Sequence, residues 1–219
     1  MDLSTRESVS VYLFGVTVRS LGTEKHMEYV EKIMSFQEIG CFALTELTHG
    51  SNAKNVRTRA DYDHKNKEFI INTPEETDMK FWIGAAGHSA TLAVVWAQLY
   101  INQKNYGPCA FVVRIRDSKT HDVMPGVTVG DCGAKLGLAG VDNGYLIFKD
   151  MRVPYDGLLD RLCQITPQGN FESPYTSIEK RFGASFAPLT GGRIGVTEIA
   201  NGNLINALTI AIRYATVRR

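Results

Sequence analysis

The chain has 219 residues, 44% hydrophobic and 21% charged, enough apolar content to bury a sizeable core in one large domain or one and a half small ones. Its net charge of +1 gives no electrostatic basis for binding nucleic acid or an anionic membrane. No apolar run approaches the roughly 18 residues needed to span a bilayer, and Met1–Glu7 lacks the apolar core of a signal peptide, so the sequence reads as soluble.

Ser4-Thr5-Arg6-Glu7 fits a capping box and predicts a helix through Val9–Leu21, stopped by Gly22. From Thr23, Met27, Val30 and Met34 recur at helical spacing until Gly40. The pattern then changes. Cys41–Leu44 is an apolar run typical of a buried strand, and it gives way to Thr45-Glu46 and the turn formers Thr48-His49-Gly50-Ser51-Asn52. A strand ending in a polar turn is a common way to present a site from a rigid scaffold.

Val56, Thr58, Ala60 and Tyr62 alternate with polar residues, and Asp63–Lys67 separates them from Glu68–Asn72, which predicts a hairpin. Further strands are expected at Thr91–Ile101, Cys109–Arg116, Val127–Val129 and Tyr145–Phe148, in a mainly antiparallel small barrel or sandwich. Leu162–Pro188, rich in Pro, Gly and Ser, reads as a long connection. Leu204, Leu208, Ala211, Ile212 and Ala215 predict a final helix, which reaches Arg218-Arg219 without a stop signal and so reads as truncated.

Several chemistries are disfavoured by spacing. Cys41, Cys109, Cys132 and Cys163 form no C-x-x-C pair and read as reduced thiols, and the five histidines lack metal-ligand spacing, so no metal site is expected. Gly84-Ala85-Ala86-Gly87-His88-Ser89 lacks the Lys-Ser/Thr ending of a phosphate loop, no G-x-G-x-x-G follows a strand, and Gly87–Thr91 falls short of a hydrolase elbow.

Two stretches carry a family likeness. Phe42-Ala43-Leu44-Thr45-Glu46 followed by His49-Gly50-Ser51-Asn52 is close to the T-E-x-x-H-G-S-N signature, and Phe81-Trp82-Ile83-Gly84 matches the second flavin segment, of the acyl-CoA oxidase branch of the acyl-CoA dehydrogenase superfamily. The likeness continues through Gly133–Gly137, Gly140–Gly144, Arg152-Val153-Pro154 and Ala211–Tyr214 to Arg218-Arg219. The chain thus resembles an acyl-CoA oxidase over its length.

That resemblance implies an α+β fold: the end of an N-terminal helical domain (1–40), a middle β-barrel (41–161), a long connection (162–190) and the first helix of a truncated C-terminal helical domain (191–219). It implies FAD as cofactor, touched by Thr45 and Gly84 with Trp82 against the ring system and backbone groups at Leu44 and Ile83. Ser51, Asn52 and Arg193 would face acyl-CoA, and Arg218 would reach the FAD pyrophosphate of the neighbouring subunit of a homodimer. The implied reaction converts fatty acyl-CoA and molecular oxygen to trans-2-enoyl-CoA and hydrogen peroxide, in peroxisomal β-oxidation. The family's base is a glutamate beyond residue 219, so no catalytic residue is assigned here, and Glu46 is expected to orient or to hold structure. The rival readings are an acyl-CoA dehydrogenase with a protein electron acceptor, and a non-catalytic binding module that keeps the barrel.

Overall fold

The structure is a computed structural model that describes the backbone of residues 2–218 and the side chains of 5–218; Arg219 lies outside the described residues. Helix α1 (Asp2–Glu7) runs directly into a π-helical segment, Ser8–Phe14, and then α2 (Gly15–Leu21). The helix is already running at Asp2, so the expected capping box at Ser4–Glu7 falls inside it and is corrected. A capping box does form at Thr23–His26, where the Thr23 N–H donates to His26 Nδ1 at 3.0 Å ahead of α3 (Met27–Met34).

The π-helical segment turns Ser10 and Phe14 inward. The Gly40 N–H donates to Ser10 Oγ at 3.0 Å, and a Cβ at Gly40 would lie 2.4 Å from the Phe14 ring. Only glycine admits this approach, which fastens the N-terminal helix to the first strand.

That strand, β1 (Gly40–Ala43), opens a six-stranded mixed sheet with β2 (Arg59–Asp63), β3 (Glu68–Asn72), β5 (Leu92–Ile101), β6 (Lys104–Arg114) and β9 (Met151–Pro154). Strands β4 (Lys80–Ile83), β7 (Val127–Asp131) and β8 (Gly144–Phe148) form a second, antiparallel sheet. The predicted hairpin is present, with Ala60 opposite Ile71. Its first strand starts at Arg59, not Val56, because Val56–Thr58 is held from the side: Gln98 donates to the Val56 carbonyl and Thr58 donates to Glu46. Both β1 and β2 run parallel to β5, while every other pairing is antiparallel.

The two sheets close around Phe69, Phe111 and Phe148 as a half-barrel. The other face of β5 points Leu92, Val94 and Trp96 at the helices, where Trp96 meets Phe42, Phe182 and Phe186. The stretch read as an irregular connection carries more order than predicted: a two-residue hairpin, β10 (Gln164–Ile165) with β11 (Phe171–Glu172), and helix α4 (Ile178–Phe186), N-capped by Ser177. A short 3-10 turn leads into α5 (Thr190–Val217). No helix of the described residues is long and apolar enough to cross a membrane.

Candidate functional site

An open cleft of about 760 Å³ lies where the N-terminal helix meets the ends of β1 and β4. Val9 and Leu13 of the π-helical segment form one wall, Leu44, Thr45 and Trp82–Gly84 a second, and the 134–143 loop a third. The volume lies within the roughly 300–1,000 Å³ range of ligand sites, and the lining is mostly apolar with a few directed polar groups.

Trp82 is placed by a local irregularity. The β4–β8 register slips between Lys80 and Ile83, and Trp82 adopts a left-handed backbone with φ of 63°. Such a conformation is unfavourable for a bulky residue, and bulges of this kind re-aim side chains. The result is a tryptophan that is 53% exposed on the cleft, not the core aromatic that its neighbour Phe81 would suggest. Its carbonyl accepts from Asn143 Nδ2 at 3.3 Å, which ties β4 to the third wall. Next to it, a Cβ at Gly84 would come within 3.1 Å of Val9, so glycine keeps the floor open.

Thr45 Oγ1 donates to the Phe81 carbonyl at 2.9 Å while the Phe81 N–H donates to the Thr45 carbonyl at 3.0 Å, a reciprocal pair that locks the two strand ends together. With its proton committed, the hydroxyl of Thr45, a lining residue, has only acceptor capacity left for a ligand. An isoalloxazine fits these residues: a flat exposed aromatic, an apolar floor and one fixed acceptor.

Behind this wall Glu46 is fully occupied. Its carboxylate accepts from the N–H groups of Arg57 at 2.7 Å and Thr58 at 2.8 Å, from the Thr58 hydroxyl at 2.6 Å and from Lys80 Nζ at 3.1 Å. Burial pushes this carboxyl up, but the Lys80 charge and the Thr58 and Arg57 donors together hold it below the usual carboxylate range. Lys80, wholly buried, also donates to the Leu44 carbonyl at 3.0 Å, and burial pushes it down to about 8 against the pull of Glu46. Glu46 is therefore a strut under β1 and β4, as expected, and it does not line the cleft. Among the described lining residues there is no carboxylate or imidazole.

Sequence spacing gave no hint of two further groupings. Asp142 accepts from the His88 and Ser89 N–H groups at 2.8 Å each and from Ser89 Oγ at 3.1 Å, fixing the loop after β4. Burial opposes ionisation of Asp142, but those backbone donors outweigh it and its carboxyl stays low. Second, Glu46, His49 and Asp78 bring ligand-type atoms within 4.8 Å of one another, a juxtaposition that the widely spaced histidines did not predict. Both Asp78 carboxylate oxygens are buried without a hydrogen bond, the nearest cation being Arg57 Nη1 at 3.7 Å.

The cleft gathers Leu44, Thr45, Trp82, Ile83 and Gly84. Ser51 and Asn52 lie exposed in the loop before β2, outside the cleft. Arg193 sits exposed in the first turns of α5, and Arg218, at its far end, stacks over Tyr214 at 5.7 Å. What the sequence missed were the first wall, Val9 and Leu13, and the third: Lys135 is held by Asn143 Oδ1 at 2.6 Å and by the Val141 carbonyl, and Leu136 and Leu138 project beside it. The glycine-rich spacing of 133–144 was the available signal.

Comparisons with known proteins agree on one family. The chain is 47% identical over 219 residues to peroxisomal acyl-coenzyme A oxidase 3 of Homo sapiens, covering 100% of this chain and 31% of that protein. It is 42% identical to acyl-coenzyme A oxidase 2, peroxisomal, of Arabidopsis thaliana, covering 100% of this chain and 33% of that one. Among solved structures, acyl-CoA oxidase-2 of Caenorhabditis elegans, bound with FAD, ascaroside-CoA and ATP, superposes with a TM-score of 0.88 at 38% identity, over 98% of this chain and 31% of that chain. The chain thus spans about a third of the length of the curated relatives it matches. Residues 41–151, just over half of the chain, match the family described as acyl-CoA dehydrogenase, middle domain, and the chain belongs to that family.

Proposed function

We propose that this chain supplies the flavin-facing middle part of an FAD-dependent acyl-CoA oxidase that desaturates fatty acyl-CoA and passes electrons to oxygen. The observation that carries the reading is the bulged Trp82, turned out of β4 onto an apolar cleft beside the Thr45 hydroxyl. Bound FAD would supply hydride acceptance from the acyl β-carbon. The chain's own residues would hold the ring system: Trp82 as a flat wall, Leu44, Ile83 and Gly84 as floor and Thr45 as acceptor. The apolar walls would limit water at the ring face. Proton removal from the α-carbon needs a positioned base, and the described lining residues include no carboxylate, so that base would come from outside this chain.

In this reading 1–40 closes an N-terminal helical domain, 41–161 is the middle domain, 162–190 the connection and 191–219 the start of a C-terminal helical domain. Ser51, Asn52 and Arg193, outside the cleft, would meet the CoA portion. Arg218 would serve the FAD pyrophosphate of a second copy in a homodimer, where a guanidinium offers two parallel donors. Two relatives are named as peroxisomal, which supports a peroxisomal setting.

The test uses a protein with the full length of its relatives. With palmitoyl-CoA it should consume oxygen and release peroxide, while the 219-residue chain alone should give no turnover. Reduction of a protein acceptor without oxygen uptake would favour a dehydrogenase, and a full-length protein without flavin absorbance would favour a binding module.

A further inference from the structure

Outside the cleft, two cysteines far apart in sequence meet. Cys109 lies on β6 and Cys163 just before β10, with their sulfurs 3.7 Å apart and both side chains buried. They border a cavity of about 20 Å³ shared with Trp96, Arg181 and Ser185. A space of roughly 10–15 Å³ already holds one water-sized molecule. Arg181, itself buried, is anchored by donation to the Tyr106 carbonyl and lies over the Phe171 ring at 4.9 Å, which leaves its charge beside the sulfurs.

We infer that Cys109 and Cys163 form a peroxide-responsive dithiol, oxidised by hydrogen peroxide admitted to this cavity and closing into a disulfide that staples β6 to the segment before β10. The Cys109 thiolate attacks one peroxide oxygen; the O–O bond breaks and hydroxide leaves, taking up a proton to become water. The resulting Cys109 sulfenic acid is attacked by the Cys163 sulfur, which forms the S–S bond and expels the second oxygen as water. The two thiols give up two electrons and both peroxide oxygens are reduced.

The ionisation pattern agrees with these roles. The sulfur–sulfur contact with Cys163 lowers Cys109, burial opposes this, and Arg181 adds to the lowering; Cys163 is raised well above the ordinary thiol range, first by its contact with Cys109. Burial pushes Cys41 up to about 12, and burial also raises the half-buried Cys132. The source of peroxide in the cell rests on the oxidase reading, but the chemistry does not, because the test adds peroxide directly.

The folded 219-residue chain is treated with one equivalent of hydrogen peroxide and mapped by mass spectrometry without reduction. The expected result is a Cys109–Cys163 linked peptide pair, with Cys132, the more exposed thiol, still reduced. Cys163→Ser, checked for fold by circular dichroism, should stop at a dimedone-reactive sulfenic acid on Cys109, and Cys109→Ser should give no link. Oxidation of Cys132 while Cys109 and Cys163 remain thiols would overturn the inference, as would a link that forms only after unfolding in urea.

Discussion

In β5 all but two of ten residues are buried, whereas in the 28-residue helix α5 none is. The contrast is not one of hydrophobicity. Helix α5 exposes Ile194, Ile199, Leu204, Leu208 and Ile212, and its apolar residues are spread around the axis instead of gathered on one stripe. A helix apolar on every side is built to be covered on every side. It also contains Gly191, Gly192, Gly195 and Gly202, each costing about 1 kcal/mol relative to alanine, so helix propensity alone does not sustain it. The sheet completes its own core within the chain; α5 depends on surroundings that the sheet does not provide.

Hydrogen exchange offers the widest separation. In the 219-residue chain as a monomer, amides of β5 and β6 should exchange at least about a thousandfold more slowly than those of α5, since core strands open only with global unfolding. In a protein with the full length of the relatives, α5 should become protected. Protection of α5 in the monomeric 219-residue chain would erase the contrast.

Within the sheet, the buried Glu46–Lys80 pair should be a sensitive point. Glu46→Gln leaves the Lys80 ammonium buried without its counter-charge and should cost about 3–5 kcal/mol in urea unfolding. Glu46→Gln with Lys80→Met should recover much of that loss, because the charge is removed with its partner. A single variant as stable as the parent would show that the strut carries no weight.

The two tryptophans sharpen the comparison further. Trp96 is 1% exposed and meets three aromatic rings, so Trp96→Ala should cost about 3–5 kcal/mol. Trp82→Ala, at a half-exposed position, should change stability by less than about 0.5–1 kcal/mol. Equal losses at the two sites would mean that Trp82 is core after all.

Acid sensitivity should follow the same partition, with smaller effects. The carboxyls of Glu38, Glu46 and Asp160 are each held low in the fold: burial acts to raise them, but Arg114 and Thr91, Lys80 and Thr58, and Lys25 and Thr23 respectively outweigh it. A depressed folded-state carboxyl contributes stability that is present above its ordinary range, near pH 4–4.5, and is lost as pH falls through the depressed value, where the unfolded chain binds more protons. Stability should therefore decline below about pH 4.5, and Glu46→Gln should flatten that decline. An unchanged acid limb in the variant would remove Glu46 from this account.

The sequence made much of this legible where a pattern repeats at short range. Alternation over 56–62, followed by the apolar run at 68–72, identified the hairpin, and the T-E-x-x-H-G-S-N and F-W-I-G stretches together located one of the three cleft walls. Parallel pairing of β1 and β2 with β5 left no local trace, because it depends on residues some fifty positions apart for β1. Strand β9 was missed because Met151–Pro154 is short and ends in proline, which is tolerated on this edge strand beside β3. The outward turn of Trp82 was also hidden, since no residue pattern announces a register slip. Helix α4 was masked by the prolines and glycines around it.

The central claim is that Trp82 and Thr45 face a flavin and are not core. The measurement that tests it is a flavin titration of full-length protein, parent against Trp82→Ala and Thr45→Val, with thermal unfolding of the flavin-free forms alongside. The expected result is nearly unchanged unfolding for Trp82→Ala, with roughly tenfold or greater weakening of FAD; Thr45→Val, whose hydroxyl also bonds the Phe81 carbonyl, should lose a little stability and about 0.5–1.5 kcal/mol of FAD binding. Variants that fold normally and bind FAD as tightly as the parent would contradict it.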